Sequence, residues 1–121
     1  MPTIVHLDIP ADDPERASKF YSKLFDWNIE LNPEFEYYMV QTKGLDGADG
    51  PGGGIGKRQD DQKITAYIGV PSVDEYITKV EALGGKTVLP KMAVPGMGYL
   101  AVCLDTENNT FGLWEDNPEA K

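Results

Sequence analysis

The sequence predicts an α+β fold: two βαβββ modules forming an open, curled mixed sheet around a cleft, with the helices on the outer face. Three observations predict it. Sliding the chain on itself by 59 positions lays Val5 on Ile64, His6 on Thr65, Ile9 on Ile68, Asp13 on Ser72 and Leu24 on Leu83 without a gap, and self-similarity at a fixed period marks a repeated supersecondary unit. Each copy passes from two-residue alternation through a helix cap to an apolar stripe of helical period. Three short strand-like runs then follow each helix. At 121 residues the chain reads as one domain, residues 1–121, with the first module over about 1–58 and the second over about 63–116.

In the first copy Val5, Leu7 and Ile9 alternate with Ile4, His6 and Asp8, so the opening strand has one apolar and one polar face. Asp13-Pro14 starts a helix, because a residue before proline is pushed out of the α region as an N-cap must be, and proline needs no donor at the first helical position. Ala17, Phe20, Tyr21, Leu24 and Phe25 form its stripe and are expected to pack on Val5, Leu7 and Ile9. That leaves His6 and Asp8 facing away from the helix. Asp26 stands at the left-handed C-terminal position. Strands are expected at 28–31, 36–42 and 54–57, with a mobile glycine-dense loop before the last.

In the second copy Ile64, Ala66, Ile68 and Val70 alternate with Thr65, Tyr67 and Gly69. Ser72-Val73-Asp74-Glu75 has the capping-box pattern, Val73, Tyr76, Ile77, Val80 and Leu83 make the stripe, and Gly84-Gly85 ends the helix. Strands are expected at 86–89, 98–104 and 109–115, a loop at 90–98 and a solvated tail from 116. Cys103 alternates with Tyr99 and Ala101 as a small buried hydrophobe.

The charge balance excludes whole classes of partner. Twenty acidic residues against eleven basic ones give a net charge of −9, which opposes binding to nucleic acid or to an anionic membrane. There is no apolar run long enough for a signal peptide or a membrane span, so a soluble cytoplasmic protein is expected. The segment PGGGIGKR at 51–58 is not a phosphate loop: Pro51 stands where glycine is needed and Arg58 where a hydroxyl is needed. Asn108-Asn109-Thr110 reads as a turn.

Three stretches together, HLDIPADDPERASKFYSKLFDW, YIGVPSVDEYITKVEALGGK and PKMAVPGMGYLAVCLDTENNTFGLWE, resemble the vicinal oxygen chelate superfamily: glyoxalases, bleomycin-resistance proteins and extradiol dioxygenases. The resemblance implies paired βαβββ modules, a ligand or metal site in the cleft, and a homodimer. It implies metal ligands on the first and last strand of each module. Carried over, the first-strand positions are His6 and Thr65 and the last-strand positions are Gly53 and Gly112, so one ligand of four remains. No cofactor is expected on that count; His6 becomes a ligand if a divalent metal binds with non-standard partners.

His6 is therefore the candidate catalytic residue, an acid–base group paired with Asp8 or Tyr67. The candidate ligand-binding residues are Asp8, Tyr67, Gly53, Gly112, Trp114 and Tyr37, the last as one member of Tyr37-Tyr38-Met39, with Trp27 beside them. The expected function is binding of a small-molecule ligand in the cleft without the full metal-ligand set. The alternatives are a metal-dependent glyoxalase-like lyase or isomerase and a non-catalytic interaction domain.

Overall fold

The computed structural model describes residues 2–121, which divide into two compact units: 5–64, and 65–121 together with the residues before Val5. Each unit is a four-stranded mixed sheet carrying one helix, so the protein is α+β with the βαβββ order in both halves. The unit 5–64 holds β1 (Thr3–Ala11) from Val5 onward, α1 (Pro14–Phe25), β2 (Asn28–Asn32), β3 (Tyr37–Gln41) and β4 (Gly52–Lys57). Its spatial order is β2-β3-β4-β1; β1 and β4 run parallel and the other neighbours antiparallel. The unit 65–121 repeats this with β5 (Thr65–Gly69), α2 (Val73–Ala82), β6 (Lys86–Val94), β7 (Gly98–Leu104) and β8 (Thr110–Asp116). There the order is β5-β8-β7-β6, with β5 and β8 parallel.

Both helices begin as the sequence dictates. The Asp13 carboxylate accepts from the Arg16 N–H at 3.1 Å and the Ser72 hydroxyl from the Glu75 N–H at 3.1 Å, each bond being worth about 1 kcal/mol as a cap. Asp26 closes α1 in the left-handed region at φ 59°, and Gly84 follows α2 at φ 98°. The α1 stripe is a correction. Ala17 and Tyr21 do pack inward, but Ser18 is the buried residue of the helix, whereas Phe20, Leu24 and Phe25 are 59, 57 and 53% exposed. At about 100° per residue, the inward arc is centred on Pro14, Ser18 and Tyr21, which turns Phe20 and Leu24 to its flank. Ser18 tolerates burial because its hydroxyl donates to the Pro14 carbonyl at 2.7 Å.

Each unit has its own core on the helix side of its sheet. Val40 and Ile55 pack with Ile9, Ala11, Ala17, Tyr21, Trp27, Ile29 and Tyr38 in one. Val70, Val73, Ala101, Cys103 and Leu113 form the other. Trp27, expected on the cleft side, belongs to this helix-side core, where its ring stacks on Tyr21 at 5.4 Å. Cys103 is fully buried and burial raises its thiol pKa, which keeps it protonated.

Three connections differ from expectation. The glycine-dense segment is an ordered hairpin: Gly50 N–H donates to the Thr42 carbonyl, Gly44 N–H to Ala48, and Lys43 pairs with Asp49 at 3.1 Å. β6 continues through 90–94 instead of opening into a loop; Pro90 falls within the register shift between Leu89 and Met92 on the edge strand, the place where a missing N–H costs least. The tail is pinned. Asn117 N–H donates to the Met97 carbonyl and Gly96 N–H to the Ala120 carbonyl, leaving Ala120 4% exposed. No described helix is long and apolar enough to cross a membrane.

Candidate functional site

In the unit 5–64 the sheet face opposite α1 carries the chemistry. Alternation along β1 sends His6 and Asp8 there, and alternation along β3 sends Tyr37 and Met39. β4 lies between them, and its register pairs His6 with Gly52, Asp8 with Gly54 and Pro10 with Gly56. Three alternate glycines thus leave the central strand without side chains on this face. Tyr37 uses that gap. Its ring lies across β4, over Gly54 and Gly56, where a Cβ on Gly54 would overlap the ring. Neighbouring strands are about 4.8 Å apart, so only a long side chain crossing a bare strand can reach from β3 to β1.

The Tyr37 hydroxyl ends at both polar residues of β1. It donates to Asp8 Oδ1 at 2.6 Å and lies 3.0 Å from His6 Nε2, with the two rings nearly parallel at 14°. A phenol has one proton. Since that proton goes to Asp8, the hydroxyl oxygen must accept from His6, which fixes the imidazole proton on Nε2 and the basic lone pair on Nδ1. Burial lowers the His6 pKa below its usual 6.5, and the Asp8 charge opposes this less strongly. His6 is a neutral base near pH 7.

Gly53 does not join this group. It pairs with Leu7 on the helix side, where a Cβ would stand 2.6 Å from the Leu7 carbonyl oxygen. The glycine that matches Gly112 is Gly54: the repeat offset is 59 between Asp8 and Tyr67, which oppose these glycines, and 58 between Gly54 and Gly112, because the second copy is one residue shorter before its last strand.

In the unit 65–121 the corresponding face brings Tyr67 onto Gly112. The two are paired across β5 and β8, and a Cβ at 112 would fall on the Tyr67 ring. Trp114 lies two residues along the same face, its indole N–H donating to Asp116 Oδ1 at 2.7 Å and its ring edge covering Gly98. Leu100 and Val102 stand opposite Trp114 and Gly112. The glycine at 112 therefore seats a tyrosine.

A divalent ion does not fit these donors. His6 Nε2 and Asp8 Oδ1 both address the Tyr37 hydroxyl, the last-strand positions offer no ligand atom, and tyrosine rings fill the space a ligand side chain would enter. Among the described residues no three His, Cys, Asp or Glu side chains converge. A separate groove of about 560 Å³ in the same unit is lined by Phe25, Trp27, Asn28, Gln41, Lys43 and Asp49. It contains no acid–base group comparable to His6.

The role of Tyr37 is the part that local patterning missed. Its signal was GGGIG at 52–56, where alternate glycines in a strand mark close approach by another group.

Comparison with known proteins accords with this fold. A glyoxylase-like domain-containing protein of Didymella fabae is 32% identical over 113 residues, covering 88% of this chain and 88% of that protein. The chain belongs to the glyoxalase-like family of the vicinal oxygen chelate superfamily. CFP32 of Mycobacterium tuberculosis, named as a glyoxylase, is 28% identical over 116 residues, which cover 92% of this chain but 44% of CFP32. The chain thus spans less than half the length of that relative. No protein-family model matches. Among solved structures, a glyoxalase/bleomycin resistance protein/dioxygenase superfamily member from Vibrio splendidus superposes with TM-score 0.67 at 12% identity, covering 97% of this chain and all of its own. Methylmalonyl-CoA epimerase of Streptomyces coelicolor, in complex with 2-nitronate-propionyl-CoA, gives 0.66 at 14%, covering 93% of this chain and 96% of its own. At such identities the likeness is one of fold.

Proposed function

We propose that this glyoxalase-like protein binds a small molecule against the His6 face of the unit 5–64 and exchanges a proton with it through His6, without a metal ion. The carrying observation is the Asp8–Tyr37–His6 chain. With the proton of His6 held on Nε2, Nδ1 is the basic atom. When Nδ1 takes a proton, the new positive charge is spread through Nε2–H and the phenol toward the Asp8 carboxylate, which steadies the imidazolium as it forms. Asp8 and Tyr37 act as positioning residues. Tyr67, Gly112 and Trp114 are proposed as an apolar contact surface of the unit 65–121 in its own right, and Gly53 as a backbone position only.

The substrate class this chemistry suits is a carbonyl compound with an acidic C–H beside the carbonyl, since a neutral imidazole near pH 7 is matched to moving such a proton. The complex of methylmalonyl-CoA epimerase with a CoA ester supports a reading of this kind for the fold. We further propose a cytoplasmic homodimer, with sequestration of the ligand as the outcome if binding occurs without turnover.

The test is a panel of thiohemiacetals and acyl thioesters screened by thermal shift, followed by NMR in deuterated water. A ligand that raises Tm and exchanges its C–H for deuterium with wild type, but loses exchange with His6→Gln, is the expected result. Equal exchange by both proteins sinks the acid–base role.

A further inference from the structure

We infer that Gln41 is the carbonyl-binding residue of the His6 site, and that the ligand lies over Gly52 with its carbonyl oxygen on the Gln41 amide and its acidic C–H on His6. This rests on the proton-transfer reading of His6 and adds the group that meets the charge as it develops. One row across the sheet carries it. His6 pairs with Gly52 and Asn28 with Gln41, and the β3–β4 register, Val40 on Gly53 and Met39 on Gly54, sets Gln41 opposite Gly52 when carried one residue further. Residues directly opposite in a sheet share a face. Asn28, Gln41, Gly52 and His6 therefore stand side by side on the face that bears Tyr37.

Within that row Gly52 is bare, and no described group fills the place above it. Tyr37 covers Gly54 and Gly56, whereas a Cβ at Gly52 would meet a single atom, the Val40 carbonyl oxygen at 3.7 Å, which is ordinary contact. Packing explains glycine at 54 but not at 52. His6 and Gln41 flank the opening with their backbones two strand spacings, about 10 Å, apart, a width that suits one small planar group between the two side chains. The groove of about 560 Å³ lined by Asn28 and Gln41 also has Gly52 in its lining, so the rest of a ligand can extend toward Phe25 and Trp27. The Gln41 amide is already oriented. Its Oε1 accepts from Asn28 Nδ2 at 3.0 Å, so the atoms it offers a ligand are its N–H donors. When the C–H proton moves to His6, the C–H electron pair enters the adjoining C–C bond and the carbonyl π pair shifts onto oxygen; a hydrogen bond from Gln41 strengthens as that charge grows. Return of the proton reverses each step.

NMR titration with S-ethyl thioacetate tests this in wild type, Gln41→Leu, Gly52→Val, Gly52→Ala and His6→Gln, with the Gln41 side-chain amide and the sole histidine as reporters and deuterium uptake at the acetyl methyl as the rate. In wild type both reporters are expected to shift along one binding curve. Valine suits a strand and at 52 enters open space, so Gly52→Val is expected to keep the wild-type Tm while both shifts vanish; Gly52→Ala, the smaller change, is expected to weaken both. Gln41→Leu is expected to slow exchange by about 10-fold, less than the roughly 10²–10³-fold of a buried oxyanion donor because Gln41 is open to water, and to leave the His6 pKa unchanged. His6→Gln is expected to lose exchange yet keep the Gln41 shift, so undiminished exchange in that variant marks failure of the acid–base role and of nothing else. A His6 shift without a Gln41 shift, wild-type binding by both Gly52 variants, or wild-type exchange by Gln41→Leu overturns the inference and leaves proton transfer by His6 standing. Absence of both shifts in wild type overturns it as well.

Discussion

His6 is the only histidine in the chain, which makes its titration directly readable. Its pKa is set by two opposed effects, burial lowering it and the Asp8 charge raising it. Asp8→Asn removes the second and leaves the first, so the His6 pKa is expected to fall further; an unchanged or raised value by NMR would separate Asp8 from the histidine. The stability consequence has a definite sign. The unfolded chain takes up this proton near 6.5 while the native imidazole resists it, so the unfolded state binds more protons and stability declines as pH drops below about 6.5. The decline ends once pH is below the lowered native value, and denaturant midpoints between pH 8 and 5 measure it. Only part of this was legible locally. Alternation placed His6 and Asp8 on one face, but their link through Tyr37 depends on β4 being inserted between β1 and β3, and strand order is a long-range property.

Repeated glycines looked like flexibility when read as single residues and prove to be contact surfaces when read as strands. β4 is GGGIGK, and its glycines at 54 and 56 carry the Tyr37 ring, just as Gly112 in β8 carries Tyr67. Gly54→Ala and Gly112→Ala are each expected to destabilise by about 1–3 kcal/mol, the range for overpacking, although alanine is ordinarily the better residue for a strand interior than glycine. Chemical denaturation checks this, and Tyr37→Ala in the Gly54→Ala background should recover part of the loss if the clash is with that ring. The repeat itself was readable because caps and alternation recur at one offset. It slipped by a single residue before the last strand, and one residue is enough to move a side chain to the other face, which is why Gly53 was mistaken for Gly54. The α1 stripe failed for a related reason: hydrophobicity gives the period of a helix, whereas its rotation is set by what fits beneath it, here Ser18 and Tyr21.

For the molecule as a whole, charge and packing pull in different directions. The largest fully buried side chains of the two cores are Ile55 in one unit and Val73 and Cys103 in the other; truncating Ile55 or Val73 to alanine is expected to cost about 2–4 kcal/mol, read as a lowered Tm. Against that packing stands a net charge of −9, with ion pairs such as Lys19–Glu15, Lys79–Glu75 and Lys43–Asp49 whose side chains are more than half exposed. Exposed pairs of this kind contribute about 0–1 kcal/mol each and weaken as salt screens them. Repulsion among the excess carboxylates is screened too, and it acts across the whole surface within a Debye length of roughly 10 Å at 0.1 M ionic strength. With twenty acidic residues against eleven basic ones, the repulsive sum dominates. Raising sodium chloride from about 0.01 M to about 0.15 M at pH 7.5 is therefore expected to raise Tm, and since a domain of this size moves by roughly 3–6 °C per kcal/mol, a change of a few degrees is measurable by calorimetry. A Tm that falls over the same interval would mean that the surface pairs outweigh the excess negative charge, and the acidity of this chain would then owe its place to something other than solubility.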